Sequence, residues 1–336
     1  MSYSQKQERI MTKILAADIG GTKTLLQLTE YNGHSYRLLA EQRFDSHAFP
    51  TFGQVLTEFL SAAKQSNIHS ACFAVAGPVS ADSNTAYVTN LPWTLDRQQI
   101  EQHYSIDKVS LINDFHAVAA GINTLTDNEL ETLQQGEPRQ HGNQLVIGAG
   151  TGLGVAQRIW NGTGYQILAS ESGHAGFAPQ NAQQRELLEF LAEDINIVSR
   201  EHLLSGQGLV AIYRFLCQRQ GHMCQTLVDA SQISQVANDS NSDDYNICNE
   251  VLELFCEIYG SESGNLALTT LPFGGVFIAG GVAAKNIQAL KRSHFVSAFG
   301  NKSKMNKLLL SMPIHVINNE AVGLHGARLL ASQNTA

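Results

Sequence analysis

Two stretches of this chain share one layout: an apolar run, a glycine corner and a second apolar run. In "LAADIGGTKTLLQL", residues 15–28, the corner is Gly20-Gly21-Thr22, with Asp18 before it and Lys23 after it. In "LVIGAGTGLGVAQRI", residues 145–159, it is Gly150-Thr151-Gly152. Each reads as a pair of strands about a tight turn. A single core stops growing near roughly 250–300 residues, so a chain of 336 residues that repeats its opening layout halfway along predicts two lobes.

Around these corners strands alternate with crossover helices. "RLLAEQRF" at 37–44 extends the first hairpin into a meander, "TFGQVLTEFLSAAKQ" at 51–65 has helical apolar spacing, and "SACFAVAGPV" returns as a strand. "KVSLI" at 108–112 runs into "NDFHAVAAGI", a helix capped by Asn113 or Asp114 with Phe115, Val118, Ala119 and Ile122 on its apolar face. After the second corner, helices are expected at 183–194, at 199–218 with a break at Gly206 and Gly208, and at 243–270. A buried strand "GGVFIAGG" and a last helix at 320–332 follow. This alternation predicts an α/β fold.

Charge and targeting signals narrow the partners. With 22 Lys and Arg against 30 Asp and Glu, the chain carries −8 and should repel a nucleic acid. The opening "MSYSQKQERIMTK" lacks the apolar centre of a secretory signal, and no apolar run is long enough to span a membrane, which predicts a cytoplasmic protein. Cys72, Cys217, Cys224, Cys248 and Cys256 show no C-x-x-C spacing and read as reduced core thiols.

The corners are neither P-loops nor G-x-G-x-x-G turns. Glycine nevertheless lets backbone N–H groups approach an anion closely, and two such corners suit the two ends of a polyphosphate. Asp18 beside phosphates would repel them unless a divalent cation sits between, which a magnesium–nucleotide complex supplies; the plainer alternative is that Asp18 caps the turn. Asn113 and Asp114 sit at the carboxyl end of a strand, where open α/β sheets hold ligands, although helix capping accounts for one of them. "SESGHAGFAP" adds Glu171 and His174 in a small-residue loop. "SREHLLSGQG" adds Glu201, either a site acid or a first-turn acid favoured by the helix dipole. Such a set of carboxylates, an amide and an imidazole suits a neutral polyol, whose hydroxyls each donate and accept.

At these residues the chain resembles the bacterial ATP-dependent glucokinases without a zinc motif, in the hexokinase–actin-like sugar kinase superfamily. "ADIGGT", "LINDFHAVAAG", "GAGTGLGVA", "ESGHAGFAP", "EHLLSGQGL" and "GGVFIAGGV" stand in family order from about residue 13 to the C-terminus. The resemblance implies a two-lobed actin-like ATPase fold of hexokinase type, related to ribonuclease H, with a cleft between the lobes. The small domain would be 12–113 with 317–336, and the large domain 114–316. It implies phosphorylation of D-glucose by ATP with Mg2+, giving glucose 6-phosphate, by a cytoplasmic homodimer. By motif match Asp114 is the catalytic base, and Asn113, Glu171, His174 and Glu201 hold the sugar, with Asn90 of "VTNLPW" bordering it. Asp18, reaching Mg2+ through water, and Gly20, Gly21 and Thr22 form one phosphate element. Gly150, Thr151 and Gly152 form the other, and Gly280 with Gly281 meets the adenosine. Lys23 departs from the Asn usual after "GGT" in this family and adds a charge near ATP. The alternatives are a kinase for mannose, fructose or an N-acetylated sugar, and a sugar-sensing regulator without turnover.

Overall fold

Strands β1 (Thr12–Ile19), β2 (Lys23–Tyr31) and β3 (Tyr36–Asp45) form the expected antiparallel meander, joined at Gly20–Thr22. The computed structural model describes residues 11–221, 229–239, 241–242 and 244–334. Helix Phe52–Ala63, capped by the Thr51 hydroxyl, leads to β4 (Ile68–Val75), which lies parallel to β1. Short strands β5 (Thr85–Tyr87) and β6 (Thr94–Asp96) pair with each other, and β7 (Lys108–Asn113) lies parallel beyond β4. The sheet order is β3-β2-β1-β4-β7.

Strand β1 is apolar and buried from Ile14 to Ala17 because the sheet is covered on both faces there. Leu15, Ala17 and Ile19 pack with Phe52, Val55, Leu56 and Phe59 on one side. Ile14 and Ala16 pack with Ala117, Leu324, Ala327 and Ala331 on the other. Those last residues belong to helix Asp114–Gly121 and the C-terminal helix Val322–Gln333. The two helices cross at glycine contacts: a Cβ on Gly326 would lie 1.8 Å from the Ala117 carbonyl oxygen, and one on Gly121 would lie 2.1 Å from that of Val322. Small residues therefore form the inward face of helix Asp114–Gly121, where Ala117, Ala119, Ala120 and Gly121 are buried. The bulkier Phe115, Val118 and Ile122, expected to face inward with Ala119, are only partly buried.

The second glycine corner opens a second sheet of matching design. After β8 (Leu130–Gln134), strands β9 (Gln144–Ala149), β10 (Leu153–Trp160) and β11 (Tyr165–Ser170) make an antiparallel meander. Then β12 (Gly275–Ala279) and β13 (Ile314–Ile317) add in parallel, and β8 closes the order β11-β10-β9-β12-β13-β8. The echo read in the sequence is thus a repeated topology, a meander followed by parallel strands.

Helices Ala182–Ala192 and Tyr245–Thr270 form where the periodicity placed them. The expected 199–218 helix is instead a single 3-10 turn at Arg200–His202 followed by helix Gly206–Gln220. Ser205, extended at φ −152°, caps the latter through the Gly208 N–H, so the two glycines open this helix instead of interrupting it. The chain divides into two compact units, Met1–Leu125 with Ala321–Ala336 and Thr126–Glu320. The first retains helix Asp114–Gly121 because its small-residue face is locked against the C-terminal helix.

Cys72, Cys217, Cys248 and Cys256 are buried, as expected of core thiols, and Cys224 lies outside the described residues. Among the described residues, no helix is long and apolar enough to cross a membrane.

Candidate functional site

In the first unit the parallel strands end together: Ile19 stands beside Val75, and Val75 beside Asn113. This carboxyl edge collects Asp18 with the first corner, Gly77, and the Asn113-Asp114 pair, where parallel sheets hold ligands.

The corner is held rigidly from behind. Gly20 N–H donates to the Lys23 carbonyl at 2.9 Å. Buried Ser46 donates its hydroxyl to the Gly20 carbonyl at 2.8 Å and its N–H to the Thr22 carbonyl at 3.0 Å. The carbonyls of Gly20, Thr22 and Lys23 are all occupied, which fixes the turn. A Cβ on Gly21 would meet the Thr89 carbonyl at 2.9 Å, so the segment carrying Asn90 lies directly against the corner. Asn90 takes a left-handed φ of 66°, a conformation its short polar side chain tolerates.

Asp18 lies on the face of β1 that meets the C-terminal helix; a Cβ on Gly323, in that helix's first turn, would lie 3.6 Å from its Oδ2. Burial pushes its pKa above the ordinary 3.8, and the charge of Lys23 partly opposes this. Among the described residues no group of three His, Cys, Asp or Glu side chains is placed to hold a metal. A magnesium ion that travels with a nucleotide keeps its waters and phosphate oxygens and needs only one or two carboxylates. Asp18, whose charged form the protein alone disfavours, fits that requirement.

Asn113 is the helix cap: its Oδ1 accepts from Phe115 N–H at 2.9 Å, and its Nδ2 donates to the Gly77 carbonyl at 3.4 Å. Asp114, the first helical residue, also accepts from Phe115 N–H at 2.9 Å. The capping and functional readings of the pair therefore coexist, with Asn113 shaping the helix start that presents Asp114.

In the second unit β9 and β12 end side by side, with Ala279 opposite Gly148. Gly150 N–H donates to the Gly152 carbonyl, and Gly206 N–H to the Gly150 carbonyl, both at 2.8 Å. Gly280, at φ 88°, sits so close that a Cβ would lie 2.3 Å from the Ala149 carbonyl oxygen. The Gly280-Gly281 turn and the second corner are therefore neighbours. Tyr259 braces the strand from below: its hydroxyl donates to the Ile147 carbonyl at 3.2 Å and accepts from Ala149 N–H at 3.3 Å.

Glu171, His174 and Glu201 meet beside this corner. His174 Nδ1 lies 3.7 Å from Glu201 Oε1, and His174 Nε2 lies 3.7 Å from Glu171 Oε2. Both gaps exceed a hydrogen bond, so the imidazole stands between two carboxylates without satisfying either. Glu201 Oε2 accepts from Leu153 N–H at 2.8 Å, and a Cβ on Gly152 would lie 2.4 Å from that oxygen. Glycine at 152 leaves that space to the Glu201 carboxylate. Segments 172–178 and 198–202 are zipped together: Phe177 N–H donates to the Val198 carbonyl and Arg200 N–H to the Ala175 carbonyl, each at 3.0 Å.

The structure thus gathers Asp18, Gly20, Gly21, Thr22, Lys23, Asn90, Asn113 and Asp114 on one edge of the first unit. It gathers Gly150, Thr151, Gly152, Glu171, His174, Glu201, Gly280 and Gly281 on one edge of the second. Sequence reasoning missed Ser46 and Arg200. Ser46 carries no local signal, whereas Arg200 is the immediate neighbour of Glu201.

Comparison with known proteins gives one consistent result. A family model described as Glucokinase matches residues 15–334. A glucokinase of Nostoc sp. is 42% identical over 345 aligned residues, spanning 96% of this chain and 100% of that one. The crystal structure of a glucokinase from an Antarctic psychrotroph superposes with a TM-score of 0.82 at 30% identity, covering 96% of this chain and 99% of the other. A ROK family glucokinase from Streptomyces griseus, solved with glucose and AMPPNP, shares the fold at a TM-score of 0.64 and 19% identity, with 96% and 100% of the chains covered.

Proposed function

The chain belongs to the glucokinase family and has its α/β actin-like sugar kinase fold, it phosphorylates D-glucose with ATP, and we propose that Asp114 is the catalytic base of this reaction. The observation that supports the assignment is the position of Asp114, at the start of a helix whose small-residue crossing with the C-terminal helix fixes it on the same carboxyl edge of the sheet as the first glycine corner, with β4 between them.

In this reading Asp114 accepts the proton of the sugar 6-hydroxyl as that oxygen attacks the γ-phosphorus. The bond from phosphorus to the β–γ bridging oxygen breaks, and ADP leaves with glucose 6-phosphate as the product. Asn113, Glu171, His174 and Glu201 pair with sugar hydroxyls, and Asn90 borders the sugar. The imidazole standing 3.7 Å from both Glu171 and Glu201 supports this, since a hydroxyl can donate to a carboxylate while accepting from a ring N–H. The corners Gly20–Thr22, with Lys23, and Gly150–Gly152 receive phosphate oxygens, and Gly280-Gly281 meets the adenosine. Asp18 would hold Mg2+ through water, and the ion would supply positive charge against the phosphates.

Positioning contributes more than proton removal in such a transfer, which is why both corners are braced by backbone hydrogen bonds. The reading includes a cytoplasmic homodimer acting in glycolysis, which light scattering on the purified protein tests for its oligomeric part. The site assignment is tested by a coupled ATP–glucose assay run beside mannose, fructose and an N-acetylated hexose. Glucose should give the highest kcat/KM, and a higher value for another hexose would displace glucose as the substrate.

A further inference from the structure

Glu262 is fully buried in the middle of helix Tyr245–Thr270, flanked by Gly260, Ser261, Ser263 and Gly264. A carboxylate there must be paired. Its Oε2 accepts from Arg200 Nε at 2.7 Å and from Asn265 Nδ2 at 3.1 Å, and its Oε1 accepts from Ala178 N–H at 3.1 Å. The same guanidinium donates from Nη1 to the Ser172 carbonyl at 3.0 Å. One planar group thus joins three things: the turn that bears Glu201, the turn between Glu171 and His174, and the rigid long helix.

We propose that Arg200, held by Glu262, is a positioning residue for glucose recognition, setting the spacing of Glu171, His174 and Glu201. The inference rests on the sugar-binding reading of those three residues. A buried ion pair gains little stability over an apolar pair of the same volume, because desolvating two charges offsets their attraction. What it supplies is one geometry. The fork of arginine holds the Glu262 carboxylate and the Ser172 carbonyl at a fixed angle, which a single ammonium cannot do. The His174 ring lies 3.7 Å from each carboxylate with no direct hydrogen bond to either, so its placement depends on the loops that carry it. Gly173 completes the seat: a Cβ there would lie 2.2 Å from the Leu153 carbonyl oxygen, which presses the His174 turn against β10.

The test uses R200K and the charge-neutralised double variant R200M/E262Q, with E201Q alongside. Lysine keeps the contact with Glu262 but loses the tether to Ser172; the double variant removes both charges of the Arg200–Glu262 pair together, so neither member is left charged without the other. Each is measured for thermal unfolding, for glucose Kd by calorimetry, and for the KM of glucose and of ATP. Glucose Kd and KM should rise roughly 10- to 100-fold in both, the range expected when a site is displaced by about 1 Å, while the KM for ATP stays within about twofold. Folded variants that bind glucose like the parent overturn the proposal, as does failure of both to unfold cooperatively, which would make the pair purely structural. If E201Q binds glucose normally, the sugar-site reading itself falls, and this inference with it.

Discussion

Glu201 Oε2 accepts the backbone N–H of Leu153 at 2.8 Å, so the acid we assign to the sugar is bonded to the strand that leaves the second glycine corner. The proposed sugar and phosphate elements within this unit are therefore one mechanical object. Gly152→Ala would place a methyl 2.4 Å from that oxygen, in an ordinary region of backbone space, so the flexible carboxylate yields and the turn does not. We expect this variant to keep its melting temperature within about 2 °C, on the scale by which small stability changes shift Tm, and to lose roughly 10- to 100-fold in kcat/KM for glucose. Steady-state kinetics with a melting curve checks both. An unchanged kcat/KM would mean that the Leu153 bond does not set the Glu201 position.

Asp114→Asn removes the proton acceptor and keeps the shape. Its kcat should fall by roughly 10² to 10⁴, the usual contribution of a general base. Glucose KM should change only a few-fold, since pairing with the other hydroxyls remains. A coupled assay at saturating ATP measures this, and turnover near that of the parent would remove Asp114 from the role.

Much of this was legible in the sequence, for physical reasons that also mark where legibility stopped. The corners were readable because only glycine admits such close backbone approach, as the 2.3 Å gap at Gly280 and the 2.9 Å gap at Gly21 show. The repeated meander was readable because each copy opens on a strand with a buried apolar run, Ile14–Ala17 and Leu145–Ile147, leading to a glycine corner. The inward face of helix Asp114–Gly121 was not, because periodicity weighs hydrophobicity and this helix packs by smallness, at Ala117 and Gly121. The 199–218 segment misled because its apolar spacing continues through Ser205, whose capping hydrogen bond starts a new helix. Glu262 left one faint mark, an acid among small residues inside an apolar stripe, but its partner Arg200 lies far away in the chain and no spacing rule joins them.

The helix crossing that presents Asp114 is open to a separate test. Gly326→Ala would drive a methyl to 1.8 Å from the Ala117 carbonyl oxygen, a backbone atom that cannot rotate away, so the two helices must part. Overpacking of this kind costs about 1–3 kcal/mol, and each kcal/mol lowers Tm by about 2–4 °C in a domain of this size. Activity should fall by more than stability explains, because the displaced helix carries the proposed base, Asp114. A variant with lower Tm but full kcat would show that Asp114 is positioned by Asn113 and its strand alone.

Asp18 predicts a pH dependence with a definite sign. Burial raises its folded pKa above 3.8, so between 3.8 and the raised value the folded chain holds more protons than the unfolded one. Stability from this group therefore falls as pH rises through that window, and what is lost there stays lost at higher pH, eased in part by the charge of Lys23. Asp18→Asn, uncharged at every pH, should melt above the parent at pH 7, with the gap closing as pH is lowered towards 3.8. The same change should weaken ATP binding if, as proposed, the carboxylate serves a cation that accompanies the nucleotide. Melting curves across pH in the absence of nucleotide read the first effect, and ATP titrations at fixed magnesium read the second. A variant less stable than the parent at neutral pH would show that neighbouring groups already balance the Asp18 charge, and the argument for a cation at this position would lose its physical basis.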